Sequence, residues 1–165
     1  MKRDPSFTET LQIGIVVRDL DATIRRYEDD FGIGPWDTHE INSADIKNLR
    51  EYGQPAVEHA WRVAVTTIGS VVWELIQPLD QAGIYARFLT EKGEGVHHIA
   101  LATPEFDELV ARQIKQGHEL VGSGELGGIR VAYLATDAEL GVITEIFDRT
   151  PADDAAHDEA SSGTH

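Results

Sequence analysis

The sequence predicts an α+β fold: paired βαβββ modules whose strands form one curved, barrel-like mixed sheet around a cleft. Three observations predict it. Two apolar, β-branched runs, residues 11–17 (LQIGIVV) and 95–102 (GVHHIALA), are each followed by a helical pattern. Each helical pattern is followed by further strand-like runs bounded by glycine. The two series also superpose. Gln12-Ile13-Gly14-Ile15 falls on His98-Ile99-Ala100-Leu101, and Val72-Trp73-Glu74-Leu75-Ile76 falls on Ile143-Thr144-Glu145-Ile146-Phe147. A unit this small closes its core by packing against its copy.

The elements follow in order. Residues 11–17 read as a buried strand. Leu20, Ile24, Tyr27 and Phe31 then recur at helical spacing, with Asp19 placed to cap the start and Gly32 to end the helix. The next stretch, up to His59, is irregular. The first module's extra length falls there, between about Asn42 and His59. WRVAVTTIG and VVWELIQP form a hairpin around Gly69-Ser70. After the strand at 95–102, Thr103-Pro104 opens a second helix, with Phe106, Leu109, Val110 and Ile114 on its apolar face and Gly117 at its end. GHELVG, GIRVAYLAT and GVITEIFD are the last three strands. The domain spans 8–148, with module one about 8–79 and module two about 94–148. Residues 1–7 are expected to be a flexible arm, and 149–165 an acidic disordered tail with little to bury.

Composition narrows the function. The 165 residues include 29 acidic and 14 basic side chains, a net charge of −15, which opposes binding to nucleic acid or to an anionic membrane surface. There are no cysteines, so a disulfide scaffold, a thiolate metal site and a cysteine nucleophile are excluded. No apolar run has the ~20 residues of a membrane helix. A small-molecule partner and a cytoplasmic location are the expectation.

Four polar residues hold equivalent places in the repeat: Gln12 and His98 in the first strands, Glu74 and Glu145 in the last. Each has an ordinary reading alone. A strand glutamate can face solvent, a lone histidine can be a satisfied core residue, and a glutamine can be an exposed strand start. Their recurrence points elsewhere. One imidazole nitrogen, one amide oxygen and two carboxylates form an N/O ligand set whose charge balances a dication such as Co, Mn, Ni, Zn or Mg. Open positions on such an ion suit catalysis. His97 should face away from His98. Trp36, Trp61, Trp73, Tyr85 and Tyr133 are candidates to line the cleft, with core packing the alternative. His39 and His59 read as loop or surface histidines, because nothing in the second module repeats them. Residues 122–127 fit G-x-G-x-x-G, but a strand follows where a dinucleotide motif needs a helix.

The stretches QIGIVVRDLDATIRRYEDDFGIGPW, VVWELIQP, GVHHIALAT and GVITEIFD resemble the vicinal oxygen chelate superfamily, which includes glyoxalase I, methylmalonyl-CoA epimerase, extradiol dioxygenases and bleomycin resistance proteins. The resemblance covers nearly all of 8–148. It implies metal ligation by Gln12, Glu74, His98 and Glu145, with Glu145 and Glu74 as catalytic bases, and a homodimer. It implies a metal-dependent epimerase, racemase or isomerase acting next to a ketone or thioester carbonyl. A glyoxalase I-like lyase and a non-catalytic, drug-sequestering protein are the alternatives. Gln12 departs from the histidine most members carry, which leaves one of the two histidines that a ring-cleaving iron site needs. The longer 42–59 segment and the tryptophans suit a bulkier substrate than methylglyoxal.

Overall fold

The computed structural model describes residues 6–149. The first half runs β1 (Glu9–Val16), α1 (Leu20–Phe31) and β2 (Asp37–Asn42). A one-turn 3-10 segment (Ser43–Asp45), β3 (Lys47–Glu51) and β4 (Gln54–Pro55) follow, then β5 (Ala60–Ile68) and β6 (Val71–Pro78). A connecting helix, α2 (Gly83–Glu91), leads into the second half: β7 (Gly95–Thr103), α3 (Phe106–Lys115), β8 (Leu120–Leu126), β9 (Ile129–Leu134), the short α4 (Asp137–Leu140) and β10 (Ile143–Asp148).

The strands form one curled ten-stranded sheet in the order β2-β5-β6-β1-β7-β10-β9-β8-β3-β4. The two modules meet at the antiparallel pair β1–β7, where Gln12 faces Ala100 and Gly14 faces His98. The shift that carries Gln12 onto His98 also carries Gly14 onto Ala100, so this junction is a local twofold. Outward from it the halves repeat. In the parallel pair β1–β6, Gln12 lies opposite Val72 and Gly14 opposite Glu74. In β7–β10, His98 lies opposite Ile143 and Ala100 opposite Glu145.

One helix covers the outer face of each half. Leu20, Ala64 and Leu75 are buried under α1. Leu109, Ala132 and Ile146 are buried under α3. Each such leucine or isoleucine contributes about 1.5–3 kcal/mol through apolar burial. Leu75 and Ile146 point outward into these cores, so strand alternation turns their neighbours Glu74 and Glu145 toward the inner face. The repeat extends to the surface. A first-turn aspartate of each helix grips an arginine of the sheet: Asp21 holds Arg62, and Asp107 holds Arg130, both through two nitrogen–oxygen contacts.

The helix signals are partly displaced. Asp19 caps α1 by accepting from the Ala22 N–H at 2.9 Å, and Gly32 ends it in the left-handed conformation with φ 65°. Helix α3 begins at Phe106 rather than at Pro104. Thr103 is still the last residue of β7, fully buried, and its hydroxyl donates to the Ser6 carbonyl at 2.8 Å. Ser6 and Phe7 are thus docked: Phe7 packs against the core under α3, and Arg112 bonds the Ser6 hydroxyl. The arm expected over 1–7 lies outside the described residues at 1–5, and the tail expected over 149–165 lies outside them from 150 onward.

Helix α2 is absent from the sequence reading. Its Ile84, Tyr85, Phe88 and Leu89 join Val16, Trp61, Val63 and Ile76 in a core facing the concave side of the sheet. The segment at 42–59 is also more ordered than expected. It leaves the first half and pairs β3 with β8 of the second, extending that half's edge by two strands. Gly124 permits this close approach: a Cβ there would sit 2.6 Å from the Ile46 side chain.

Candidate active site

The four repeated residues converge. His98 reaches the inner face from β7 because its partner on β1 is glycine; a Cβ on Gly14 would lie 2.1 Å from the His98 ring. His98 is fully buried. Its Nε2 lies 3.2 Å from Glu145 Oε2 and 3.7 Å from Glu74 Oε2. The Gln12 side chain lies beside Glu74 and favours its charged form. Gln12, Glu74 and Glu145 line one cavity of about 230 Å³. The twofold at the β1–β7 junction therefore brings one Gln or His and one Glu from each half to a shared centre.

Burial shapes the electrostatics. It raises the Glu74 carboxyl to about 7, opposed by the Gln12 side chain. It raises Glu145 well above the usual carboxylate range, against the Tyr133 hydroxyl beside it and with the Glu74 charge. Burial also holds His98 well below the usual imidazole range, reinforced by His97. His98 is therefore neutral at pH 7, and its contacts with the two glutamates are not ion pairs. His97 does not face away from His98 as alternation would have it: the β1–β7 ladder passes over it at a bulge between Gly14 and Ile15, and its ring meets Tyr85 and Tyr133 as the His98 ring does. It is pushed down to about 3 by burial and then by Lys92. The two rings meet through Nδ1···Nδ1 at 3.0 Å, so one of these nitrogens donates and the other accepts. That contact orients the His98 ring.

Among the described residues, two buried polar atoms, His98 Nε2 and Glu145 Oε2, have no hydrogen-bond partner, and they face each other. Orphaned buried acceptors are costly and call for an explanation. Among the described residues, no group of three or more His, Asp and Glu side chains is already drawn together as a metal site. The donors nonetheless fit a cation in kind: an imidazole nitrogen and two carboxylates with an amide oxygen beside them, two of the atoms awaiting a partner.

Sequence reading placed some of the surrounding wall correctly and missed the rest. Trp61, Tyr85 and Tyr133 line the cavity, and the Tyr85 and Tyr133 hydroxyls lie 3.0 Å apart. Trp36 and Trp73 do not line it; they pack around Tyr27 of α1 on the outer face. His39 is exposed on β2, as expected. His59 is not a surface residue: it is 5% exposed, stacked on Trp61 and part of the cavity wall. Glu51 and Ile84 also belong to that wall. Their signal was weak, because β3 and α2 have no counterpart in the second module against which to be read.

Comparison with known proteins agrees with this architecture. No curated protein matches the chain. The structure is similar to methylmalonyl-CoA epimerase from Mycobacterium tuberculosis, with 25% identity over 94% of this chain and 97% of that one and a TM-score of 0.65. It is similar to a methylmalonyl-CoA epimerase in complex with methylmalonyl-CoA and ammonium, with 28% identity over 86% and 94% of the chains and a TM-score of 0.60. A Streptomyces coelicolor methylmalonyl-CoA epimerase variant in complex with 2-nitronate-propionyl-CoA shares 27% identity over 86% and 97%, with a TM-score of 0.60. A family model described as the glyoxalase/bleomycin resistance protein/dioxygenase superfamily matches residues 11–133, and the chain belongs to that superfamily.

Proposed function

We propose that this protein is a metal-dependent epimerase, racemase or isomerase that moves a proton on a carbon next to a ketone or thioester carbonyl. The observation that carries this reading is the pair of cavity-wall carboxylates, Glu74 and Glu145, brought by matching strands to within 3.7 and 3.2 Å of one buried histidine nitrogen. The likeness to methylmalonyl-CoA epimerases at 25–28% identity supports the same reaction class.

Gln12, Glu74, His98 and Glu145 would hold a divalent ion, Co, Mn, Ni, Zn or Mg. Such an ion, when bound, supplies Lewis acidity to the substrate carbonyl and so acidifies the neighbouring C–H. The side chains do the rest. One glutamate removes the proton from the α carbon, and the other returns a proton from the opposite side of the planar enolate, which inverts the centre. Burial raises both carboxyls toward neutrality, where a group both accepts and donates a proton. Tyr133 lies against Glu145 and is itself tied to Tyr85, which restrains that carboxylate. His97 fixes the ring of His98. The apolar wall keeps water from the carbanion. The reading includes a homodimer seated on an open sheet edge, β2 or β4.

Solvent deuterium entering the α carbon of a candidate substrate, followed by NMR, tests this. Wild type exchanges the proton of both enantiomers, and Glu145→Gln loses exchange from the one whose proton Glu145 faces. Undiminished exchange in the variant removes Glu145 as a base.

A further inference from the structure

The cavity wall has a second polar pole, formed by residues other than the four repeated ones. Glu51 of β3 and His59, just before β5, both line it. The His59 Nδ1 lies 2.7 Å from the Val57 carbonyl, and a carbonyl only accepts, so Nδ1 carries the proton. Its Nε2 faces Glu51 Oε1 at 3.4 Å, with the two side chains 4% and 13% exposed. Glu51 Oε1 also accepts from the Ile84 N–H at 3.2 Å, which fixes the carboxylate. The imidazole is fixed as well. It stacks on Trp61 at 5.3 Å, and Gly83, with φ +89°, makes room for it, since a Cβ there would lie 2.4 Å from Nε2.

Such a rigid pair has a defined complement. With its proton on Nδ1, the His59 ring presents a bare Nε2, so this nitrogen and the Glu51 carboxylate oxygen both accept and their complement is a hydrogen-bond donor. A neutral hydroxyl supplies that donor, whereas an anionic group is repelled by Glu51. The rest of the wall is largely apolar, with Ile41, Ile46, Leu49 and Ile84 contributed by the 42–59 segment, its flank and α2. Among the described residues, no lysine or arginine lines the cavity. The cations of β3 are engaged elsewhere, Lys47 with Glu125 and Arg50 with the Gly53 carbonyl. The net charge of −15 further opposes a polyanionic carrier.

We infer that Glu51 and His59 form a specificity pole that receives a hydroxyl at the far end of an uncharged, otherwise apolar substrate whose carbonyl lies at the Gln12–Glu74–His98–Glu145 end. The inference rests on the proton-transfer reading for the carbonyl end and on the Glu51–His59 geometry for the other. It selects a hydroxylated apolar ketone over a thioester of a polyanionic carrier.

Two probes test it: 2-(4-hydroxyphenyl)cyclohexanone and 2-phenylcyclohexanone, with methylmalonyl-CoA as the thioester comparator. Affinity is measured by titration calorimetry and α-deuterium exchange by NMR, on wild type and Glu51→Gln. Glutamine keeps a carbonyl oxygen for the Ile84 N–H but loses the charge. The expected result is at least a ~10-fold preference for the hydroxylated ketone, lost in the variant, because a hydrogen bond to a charged group is worth that much. Equal affinity of wild type for the two ketones overturns the inference without reference to any variant, as does a preference that survives in Glu51→Gln. Binding and exchange of methylmalonyl-CoA alone also overturn it, while leaving proton transfer standing. A Glu51-dependent preference without deuterium exchange supports the pole and removes the proton-transfer reading.

Discussion

The two halves of the sheet are alike where the four repeated residues meet and unlike where the cavity is walled. β1–β6 and β7–β10 carry Gln12 with Glu74 and His98 with Glu145 in the same register. The first half alone owns β3 and β4, which cross to the edge of the second. The environments of the matched glutamates also differ. The Glu145 side chain is 2% exposed and lies against Tyr133, whereas the Glu74 side chain is 15% exposed and lies against Gln12. The shared register explains why polar groups converge on the junction. The unshared segment explains how one cavity acquires a wall that the repeat does not supply.

The largest expected effect comes from breaking the matched pair. Glu74→Gln and Glu145→Gln should each lower the rate of inversion by about 10²–10⁴-fold. Each should leave deuterium washout from one enantiomer, and the surviving enantiomer should differ between the two variants. Washout from the same enantiomer in both would mean that neither glutamate is the base for that enantiomer.

The junction offers a second contrast. Gly14 and Ala100 are matched positions facing His98 and Gln12 across β1–β7. Gly14→Ala puts a methyl 2.1 Å from the His98 ring, which has to move. The expected loss is about 1–3 kcal/mol of stability by denaturant titration, with a ~10²-fold slower exchange from the misplaced ring. Ala100→Gly should cost only ~1 kcal/mol and spare the exchange rate. Equal effects at the two positions would show that the His98 placement does not depend on Gly14.

The raised carboxyl of Glu74 makes stability depend on pH. Its folded-state value of about 7 lies above the ordinary 4.5, so the folded protein binds the proton more tightly than the unfolded chain. This contribution is fully present below pH 4.5 and is lost as pH rises to about 7. His97, pushed down to about 3, acts in the opposite sense over an overlapping window. The difference between metal-free wild type and Glu74→Gln therefore isolates the glutamate, and it should fall by up to ~3 kcal/mol across that range. A flat difference would mean that Glu74 is not desolvated. The smallest effect concerns the matched surface bridges. Asp21→Asn and Asp107→Asn should each lower Tm slightly at low salt and negligibly at high salt, because both pairs are solvent-exposed.

The repeat made much of this legible in the sequence. Gln12, Glu74, His98 and Glu145 could be read because each has a counterpart in the other half, and alternation then set their inward direction. Trp73 was left open between cleft and core packing, although alternation beside Glu74 turns it outward, onto Tyr27. Helix α2 and strand β3 were missed for a different reason. Their residues pack on distant strands, Ile84 and Tyr85 on Trp61 and Ile76, and Ile46 on Gly124, and no local period or internal copy announces such contacts. The burial of His59 followed from the same unshared segment. Gly14 shows the converse case: an unremarkable strand glycine is required only because the opposite strand brings His98 across it.

The central claim is that the two halves hold one cation at their junction. Anomalous diffraction at the cobalt edge, from crystals equilibrated with Co²⁺, tests it most directly. The account predicts one peak per chain within bonding distance of His98 Nε2 and the carboxylates of Glu74 and Glu145, beside Gln12. An empty junction under saturating cobalt, with Glu145 bonded straight to the His98 ring, would contradict it.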